Sequence, residues 1–320
     1  MRAFRRYLCR SHTDVVQYHT PKRKTRRRVQ PNLRTIVLIK IVTDSTSYLP
    51  ADLLAEHDIH CVPLTLFLGE QAYREGADID TGRLFQMVTE GAPFPTTSQA
   101  SPYEFTSVWQ PLLDAGHQVI TILLSGRLSS MVDTARSAVR LLSNGASVRV
   151  LDSASIAMGL GMQALRAAEL ADEGCAEEAI VAVVQRMREA LHVVFTLDTL
   201  EYLHRGGRIN TAKAWVGTLL RVKPVLSLQH GVLEPLEQVR STPRAVANVI
   251  ERTLAYLGDD RRPWIAVMHS WLPSAAQDLL ATLQAHFPEG RVFCSEIGPV
   301  LAAHLGPGGV GIIACRSEAL

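Results

Sequence analysis

Runs of apolar residues alternate along the chain with segments of helical periodicity. The first run, residues 35–42 (TIVLIKIV), is rich in β-branched side chains, which is typical of a strand buried on both faces of a parallel sheet. Further runs predict strands at residues 62–68, 118–124, 147–151, 192–197, 222–228, 264–268, 292–295 and 310–314. Helical patterns occupy residues 102–113, 131–142, 156–173, 176–191, 211–220, 243–257 and 274–286. Strands that alternate with helices predict an α/β fold with a mainly parallel sheet.

The length of 320 residues favours two domains. We expect a basic, disordered extension over residues 1–34, an N-terminal α/β domain over 35–153 and a C-terminal α/β domain over 154–320. The boundary falls in a hydroxyl-rich turn, residues 152–155, that ends one strand and opens a long helix. The last strands are free to pack back onto the first domain.

Charge is distributed unevenly between the extension and the rest of the chain. Residues 1–34 hold eleven Lys and Arg and one acid, Asp14, whereas residues 35–320 hold 22 basic and 30 acidic residues. A net charge of −8 on the folded part argues against nucleic-acid binding. The extension lacks the apolar segment of a secretory signal, which leaves an inert extension, a polybasic arm or an Arg-rich transit sequence.

Other functional classes are excluded by what the sequence lacks. No run approaches the roughly 18–20 apolar residues of a membrane-spanning helix, and the five cysteines include no C-x-x-C pair. We therefore expect a protein of a reducing cytoplasm without disulfides. G-x-S-x-G, H-E-x-x-H and P-loop motifs are also missing. Gly306, Gly308 and Gly311 spell G-x-G-x-x-G, but a strand follows them where a dinucleotide site needs a helix.

Three of the expected strands end in hydroxyl-rich turns that lead into helices. These turns contain Ser45 and Thr46, residues 125–130 with Ser129, and residues 152–155. The carboxyl ends of strands in an open α/β sheet gather at one edge, where helix N-termini favour an anion. The same residue types also serve as ordinary helix caps, so each turn has two interpretations.

A fourth hydroxyl cluster precedes the helix at residues 102–113. Ser101 and Glu104 have the spacing of a capping box, which leaves Thr97, Ser98 and the following Gln99 without a capping role. Hydroxyls that are free of capping are candidates to bind a ligand oxygen. A solvated polar loop is the alternative.

Two segments nearer the C-terminus combine glycine with a charged or titratable side chain. His304 stands at the edge of a glycine-rich turn, where backbone N–H groups can approach a ligand. Arg205 and Arg208 flank Gly206-Gly207 and could bind phosphate or an acidic partner, or remain solvated charges at a helix end.

Taken together, these motifs resemble the DegV family. They are residues 41–46 (IVTDST), 96–101 (TTSQAS), 125–130 (SGRLSS), 200–209 (LEYLHRGGRI) and 298–308 (GPVLAAHLGPG). The family includes the fatty-acid-binding subunits of bacterial fatty acid kinase. The resemblance spans about residues 36–317, in the order the family shows, and leaves the basic extension without a counterpart.

The resemblance implies a two-domain protein that holds a long-chain fatty acid in a tunnel between the domains. Thr97 and Ser129 occupy the positions that bind the carboxylate, and Ser98 and His304 are their neighbours. Secondary ligand or partner contacts fall on Ser45, Thr46, Arg205 and Arg208. The implied protein is a lipid-binding carrier without catalytic residues or cofactor. A separate kinase would phosphorylate the bound acid for phospholipid synthesis.

The chain departs from the family pattern at three positions. Ser130 replaces the usual glycine after Ser129, Met131 replaces the usual threonine, and Ala100 stands where proline is common. Ser130 could crowd the carboxylate or add a donor to it, and either effect would change the geometry of the head group.

Two other functions also fit the sequence. One is an enzyme that acts on a small phosphorylated or carboxylated metabolite in the same cleft, with His304 as general acid or base. The other is an adaptor whose polybasic extension carries the function.

Overall fold

A computed structural model describes residues 38–143, 147–209 and 222–320. The basic extension and the helix expected at residues 211–220 lie outside the described residues. These described residues belong to one compact unit. The division near residue 153 therefore stays a prediction.

The described part of the chain contains ten α-helices and thirteen strands. The strands are β1 (Ile39–Asp44), β2 (His60–Val62), β3 (Thr65–Leu68), β4 (Gln71–Arg74), β5 (Thr96–Ser98), β6 (Gln118–Leu123), β7 (Val148–Asp152), β8 (His192–Thr196), β9 (Lys223–Gln229), β10 (Val232–Val239), β11 (Trp264–Ser270), β12 (Arg291–Glu296) and β13 (Gly309–Cys315). The helices are α1 (Ala51–Glu56), α2 (Thr81–Thr89), α3 (Pro102–Asp114), α4 (Met131–Val139), α5 (Met158–Asp172), α6 (Glu177–Ala190), α7 (Glu201–Arg205), α8 (Thr242–Leu257), α9 (Pro273–His286) and α10 (Pro299–Leu305).

The first sheet is parallel throughout and has the order β2-β1-β6-β7. Its central strands carry the apolar runs, and Val42, Ile120 and Ile122 are fully buried. This sheet and its helices confirm the expected α/β class. The carboxyl ends of β1, β6 and β7 lead into the three hydroxyl-rich turns.

The second sheet has six strands in the order β10-β9-β8-β13-β11-β12. Only the β11–β12 pair is parallel, and the other pairs are antiparallel. Alternate residues of β8 enter different cores: Val193 belongs to the core shared with the first sheet, and Val194 to the core under α8 and α9. The last strands, β11 to β13, pair within this sheet.

The third sheet is small and antiparallel, with the order β4-β3-β5. The strand expected at residues 62–68 is divided between β2 and β3, because Pro63 lies between them and has no N–H for a ladder. The Thr96–Ser98 segment, expected as a loop, is a strand that pairs with β3. Its polar, three-residue sequence carries no strand pattern, and the pairing with β3 defines it.

Helix boundaries agree closely with the pattern where local capping is strong. Ser101 accepts from the Glu104 N–H, and the Glu104 carboxylate accepts from the Ser101 N–H, which confirms the capping box of α3. The helix expected over 131–142 ends at Val139, and that expected over 156–173 begins at Met158. Among the described residues, no helix has the length and apolar character needed to cross a bilayer.

Candidate functional site

A cavity of about 450 Å³ opens beside the turn that follows β6. Its polar lining comes from Thr97, Ser98, Gln99, Arg127, Ser129, Ser130, Arg208 and His304. Its apolar lining includes Leu64, Leu124, Ile156, Leu203, Val300, Leu301 and Leu305. The structure therefore brings five sequence-predicted residues to one cavity: Thr97, Ser98, Ser129, Arg208 and His304.

Thr97 is held by the small antiparallel sheet. It lies opposite Leu66 in the β3–β5 ladder. The residues before and after it are paired in the same ladder, which fixes the backbone around Thr97. Its Oγ1 lies 2.7 Å from His304 Nε2. The neighbouring Ser98 is exposed, and its hydroxyl donates to the Gln99 carbonyl at 3.1 Å. Thr97 is the better placed of the two for a ligand inside the cavity.

Ser129 lies at the start of α4, and its N–H donates to the Ser125 carbonyl at 3.1 Å. Ser130 occupies the N-cap position of α4 but makes no side-chain capping bond. A helix end without a side-chain cap presents N–H groups and a partial positive charge. Ser129 and this helix end together form a set of hydrogen-bond donors suited to an anion.

The residues that depart from the family pattern connect the two hydroxyl segments. The Ala100 N–H donates to Met131 Sδ at 3.2 Å, and Gln99 Nε2 donates to Thr134 Oγ1 at 2.8 Å. Both contacts join the end of β5 to the first turn of α4. They hold the Thr97 side of the cavity against the Ser129 side.

His304 is uncharged at neutral pH. Burial, with a smaller contribution from the Arg208 guanidinium, lowers the pKa of His304 to about 4. Its Nδ1 is buried without a hydrogen-bond partner. If Nε2 carries the proton, it donates to Thr97 Oγ1, and the Thr97 hydroxyl hydrogen is then free to donate to a ligand.

Close packing against Gly206 fixes the imidazole of His304. A Cβ at Gly206 would lie 2.3 Å from His304 Nδ1. We expect Gly206→Ala to displace the ring from Thr97 and to lower the free energy of unfolding by about 1–3 kcal/mol. The backbone φ of −75° at Gly206 suits alanine, and the ring contact is closer than the next one, to the Tyr202 carbonyl oxygen at 3.0 Å.

The displacement can be measured from the ¹⁵N shifts of the His304 ring. Gly207→Ala is the control, because Gly207 has a φ of +72° but nothing within 4 Å of its Cβ position. Alanine there strains the backbone without touching the ring. Unchanged His304 shifts in Gly206→Ala would contradict the assigned contact.

The two arginines around Gly206-Gly207 have different environments. Arg208 lines the cavity, and its guanidinium donates to the Gly206 carbonyl at 2.7 Å and to the Leu128 carbonyl at 3.4 Å. Arg205 lies over the Phe94 ring, 3.8 Å from its centroid, and pairs with Glu201 at 3.4 Å. Arg205 is exposed and is not part of the lining.

Ser45 and Thr46 make internal hydrogen bonds and do not line the cavity. The Ser45 hydroxyl donates to Glu75 at 2.6 Å and accepts from the Leu64 N–H at 3.0 Å. Thr46 donates to Asp44 through its hydroxyl and its N–H. Burial raises the pKa of Asp44 to about 6, against the lowering effect of hydrogen bonds from Thr46 and Leu124. These hydroxyls stabilise the end of β1.

The apolar end of the cavity meets a second, smaller one of about 30 Å³. The two cavities share Ile156, Leu301 and Leu305 in their linings. The second lies against β8, β11 and β13 and is lined by apolar residues, including Phe195 and Met268. Nothing in the sequence pattern distinguishes these apolar residues from ordinary core positions, so sequence reasoning missed them.

Chemically, the site combines hydrogen-bond donors with apolar surface, and the apolar residues Ile156, Leu301 and Leu305 also line the second cavity. Its imidazole is neutral, and the buried carboxylates of Asp44 and Glu75 are not in the lining. Across residues 38–143, 147–209 and 222–320, no group of three or more His, Cys, Asp or Glu side chains could hold a metal ion. The arrangement suits a ligand with an anionic head and an apolar tail.

Comparison with known families agrees with this geometry. Residues 38–317 match the sequence model of a family described as "Uncharacterised protein, DegV family". The chain belongs to the DegV family. A DegV domain-containing protein of Streptomyces coelicolor is 39% identical over 277 residues, which cover 86% of this chain and 97% of the relative. Protein DegV of Bacillus subtilis is 32% identical over 282 residues, covering 87% and 99%.

Solved DegV structures share the fold. A DegV-family protein from Thermus thermophilus, described by its fatty acid binding, superimposes with a TM-score of 0.83 at 37% identity, covering 88% of this chain and all of that one. DegV from Bacillus subtilis, described as a fatty acid binding protein, has a TM-score of 0.81 at 31% identity with the same coverage. The family resemblance and the fold class inferred from sequence are thus confirmed.

Proposed function

We propose that this protein binds a long-chain fatty acid, with the carboxylate at Thr97 and Ser129 and the acyl chain in the apolar part of the cavity. The observation that carries the proposal is a single cavity whose lining includes hydroxyls beside a helix end without a side-chain cap, together with apolar residues that also line a second cavity. Two structural neighbours above 30% identity are described as fatty acid binding, which supports it.

Hydrogen bonds at the head-group end offset the cost of removing a carboxylate from water. An ionised carboxylate that is buried without partners is strongly unfavourable. The Thr97 and Ser129 hydroxyls and the N-terminus of α4 can all donate to it, and such charge-assisted bonds are stronger than neutral ones. The neutral His304 orients the Thr97 hydroxyl.

Burial of the acyl chain supplies most of the binding free energy. A chain of roughly 14–16 methylenes gains on the order of 10 kcal/mol before entropy losses, at about 0.8 kcal/mol for each methylene. Lost chain and translational freedom reduces this gain considerably. Ile156, Leu301 and Leu305 mark the passage by which the chain extends toward the second cavity.

A separate fatty acid kinase is the partner in this proposal. It would transfer a phosphoryl group from a nucleoside triphosphate to the bound carboxylate and form an acyl phosphate for phospholipid synthesis. Arg208 lines the cavity, and Arg205 lies on the exposed surface on the other side of Gly206-Gly207. They would contact the kinase or the transferred phosphoryl group. Such a kinase requires a cytoplasmic location.

The alternative of a small-metabolite enzyme is disfavoured by the state of His304. A general base works best when its pKa is near the working pH, and the pKa of His304 is about 4. The adaptor alternative rests on residues 1–34, outside the described residues. Deleting them separates it from the lipid-binding proposal, since fatty-acid binding should survive the deletion.

The test is mass spectrometry of small molecules extracted from the purified, denatured protein. We expect a near-stoichiometric long-chain fatty acid in the wild type and about five- to tenfold less in Ser129→Ala, because one donor to the carboxylate is lost. Ser137→Ala on α4 is a control, since the Ser137 hydroxyl only donates to the Asp133 carbonyl. Undiminished lipid in Ser129→Ala would contradict the assigned head-group site. A wild type that neither retains nor takes up fatty acid would overturn the function.

A further inference from the structure

Helix α10 forms one wall of the cavity but provides no cap for its own N-terminus. Val300, Leu301, His304 and Leu305 all line the cavity. The N-cap position is Gly298, which has no side chain to accept from the first-turn N–H groups. The position of His304 therefore depends on what holds this helix from outside.

Glu75, at the end of β4, supplies the missing cap. Its carboxylate accepts from the Val300 N–H at 2.8 Å, from the Tyr48 hydroxyl at 3.0 Å and from the Ser45 hydroxyl at 2.6 Å. The Tyr48 hydroxyl also accepts from the Leu301 N–H at 3.2 Å. Glu75 is only 6% exposed. A single buried carboxylate thus connects α10 to the turn after β1.

The approach of Glu75 to α10 depends on the glycine at position 298. A Cβ there would lie 2.8 Å from Glu75 Oε1 and 2.5 Å from Tyr48 Cε1. The preceding carbonyl, that of Ile297, accepts from the Thr81 hydroxyl at 2.6 Å. Three side chains from the first third of the chain, those of Tyr48, Glu75 and Thr81, therefore hold the start of α10. Glu75 is the carboxylate among them.

We propose that Glu75 is a positioning residue of the head-group site: through α10 it holds His304 in contact with Thr97 and so orients the Thr97 hydroxyl toward the ligand. The consequence for fatty-acid binding rests on the proposed function. The coupling of Glu75 to His304 does not, because it is a property of the protein without ligand.

The protonation state of Glu75 gives this coupling a pH dependence. Burial raises the pKa of Glu75 to about 7, against the lowering effect of its hydrogen bonds from Ser45, Val300 and Tyr48. The titratable groups that face it are Tyr48, Asp44 and Cys61, and all three are acids. Protonation near pH 7 removes the negative charge that caps α10.

Protonation of Glu75 weakens the cap of α10 but favours the folded state. The pKa of Glu75 is higher in the folded protein than its ordinary value of 4.5, so the folded state binds more protons. The contribution of Glu75 to the unfolding free energy therefore falls as pH rises from 4.5 to 7. Glu75→Gln should remove this contribution from the stability profile.

The first experiment follows the ring ¹⁵N shifts of His304 in the ligand-free full chain from pH 5.5 to 8.5. His304 itself does not titrate in this range, yet we expect its shifts to show an inflection near pH 7 in the wild type. Glu75→Gln keeps an oxygen for the Val300 N–H but carries no charge, like the protonated acid, so its His304 shifts should match those of the wild type at low pH and should show no inflection. Glu75→Ala should change the ring shifts at every pH.

The second experiment measures palmitate affinity at pH 8. We expect Glu75→Ala to bind about fivefold more weakly and Glu75→Gln to stay within about twofold of the wild type. Asp260→Ala is the matched control, because Asp260 also accepts three hydrogen bonds, from the Arg262 N–H and from the N–H and hydroxyl of Ser317. Asp260 is not in the cavity lining.

Each outcome decides the proposal. Shifts of His304 that are flat with pH in the wild type and unchanged in Glu75→Ala would overturn it, as would an equal loss of affinity in Asp260→Ala. If Glu75→Ala does not fold, the pH profile of Glu75→Gln decides alone. If the wild type binds no palmitate, the proposed function fails, while the His304 shifts still test the coupling.

Discussion

Replacing Thr97 by valine is expected to weaken fatty-acid binding about 10- to 100-fold while the protein stays folded. Valine has nearly the shape of threonine and suits the strand position in β5, but it cannot donate to a carboxylate. A hydrogen bond to a charged group contributes about 1.5–3 kcal/mol. The substitution also removes the partner of His304 Nε2. Palmitate affinity, measured by titration calorimetry, tests the expectation.

Thr96→Val provides the control for this variant. Thr96 is exposed, belongs to the same short strand and points to its opposite face, so valine there should leave affinity unchanged. Thr97→Ser keeps a hydroxyl and should recover most of the binding. An affinity in Thr97→Val equal to that of the wild type would show that the carboxylate is held elsewhere.

Enlarging Ile156 to tryptophan is expected to reduce palmitate affinity more than about 100-fold and to spare octanoate. Ile156 is buried and lines both cavities, so an indole ring would block the passage between them. Each methylene kept out of the apolar region costs about 0.8 kcal/mol, or about fourfold in affinity. Four excluded methylenes account for the expected loss.

The two ligands distinguish a blocked passage from a damaged protein. Octanoate shares the head group but has a chain short enough to remain in the first cavity, so its affinity reports on the Thr97 and Ser129 end. Ile156→Val, which removes one methylene, should bind both acids as the wild type does. A parallel loss of octanoate and palmitate in Ile156→Trp would locate the acyl chain on another path.

The larger elements could be predicted because their information is local. The β-branched run that forms β1 and the capping residues Ser101 and Glu104 of α3 determine their structures with little help from distant residues. Strand β5 is different. Thr96–Ser98 is polar and short, and it becomes a strand only because β3 lies beside it with matching hydrogen-bond groups.

In the candidate site, too, some features follow from local sequence and others only from the fold. Sequence motifs pointed to hydroxyls, an imidazole and arginines. Without the family resemblance they did not distinguish Thr97 from Ser45, and with it they still did not distinguish Arg208 from Arg205. The fold makes these distinctions: the Ser45 hydroxyl is taken up by Glu75, and Arg205 lies over Phe94. Hydrogen bonds between residues far apart in the chain decide which polar groups remain available to a ligand.

By itself, the sequence determined the α/β class, most strands and helices, the family and the polar residues from which a head-group site can be built. Only the tertiary structure decided which of these residues share a cavity, since Thr97 and His304 are 207 positions apart and still lie in hydrogen-bond contact. It also decided the role of Glu75, which no local pattern indicates. Periodicity and capping depend on residues a few positions apart, whereas a binding cavity and its supports depend on contacts that form only when distant segments pack together.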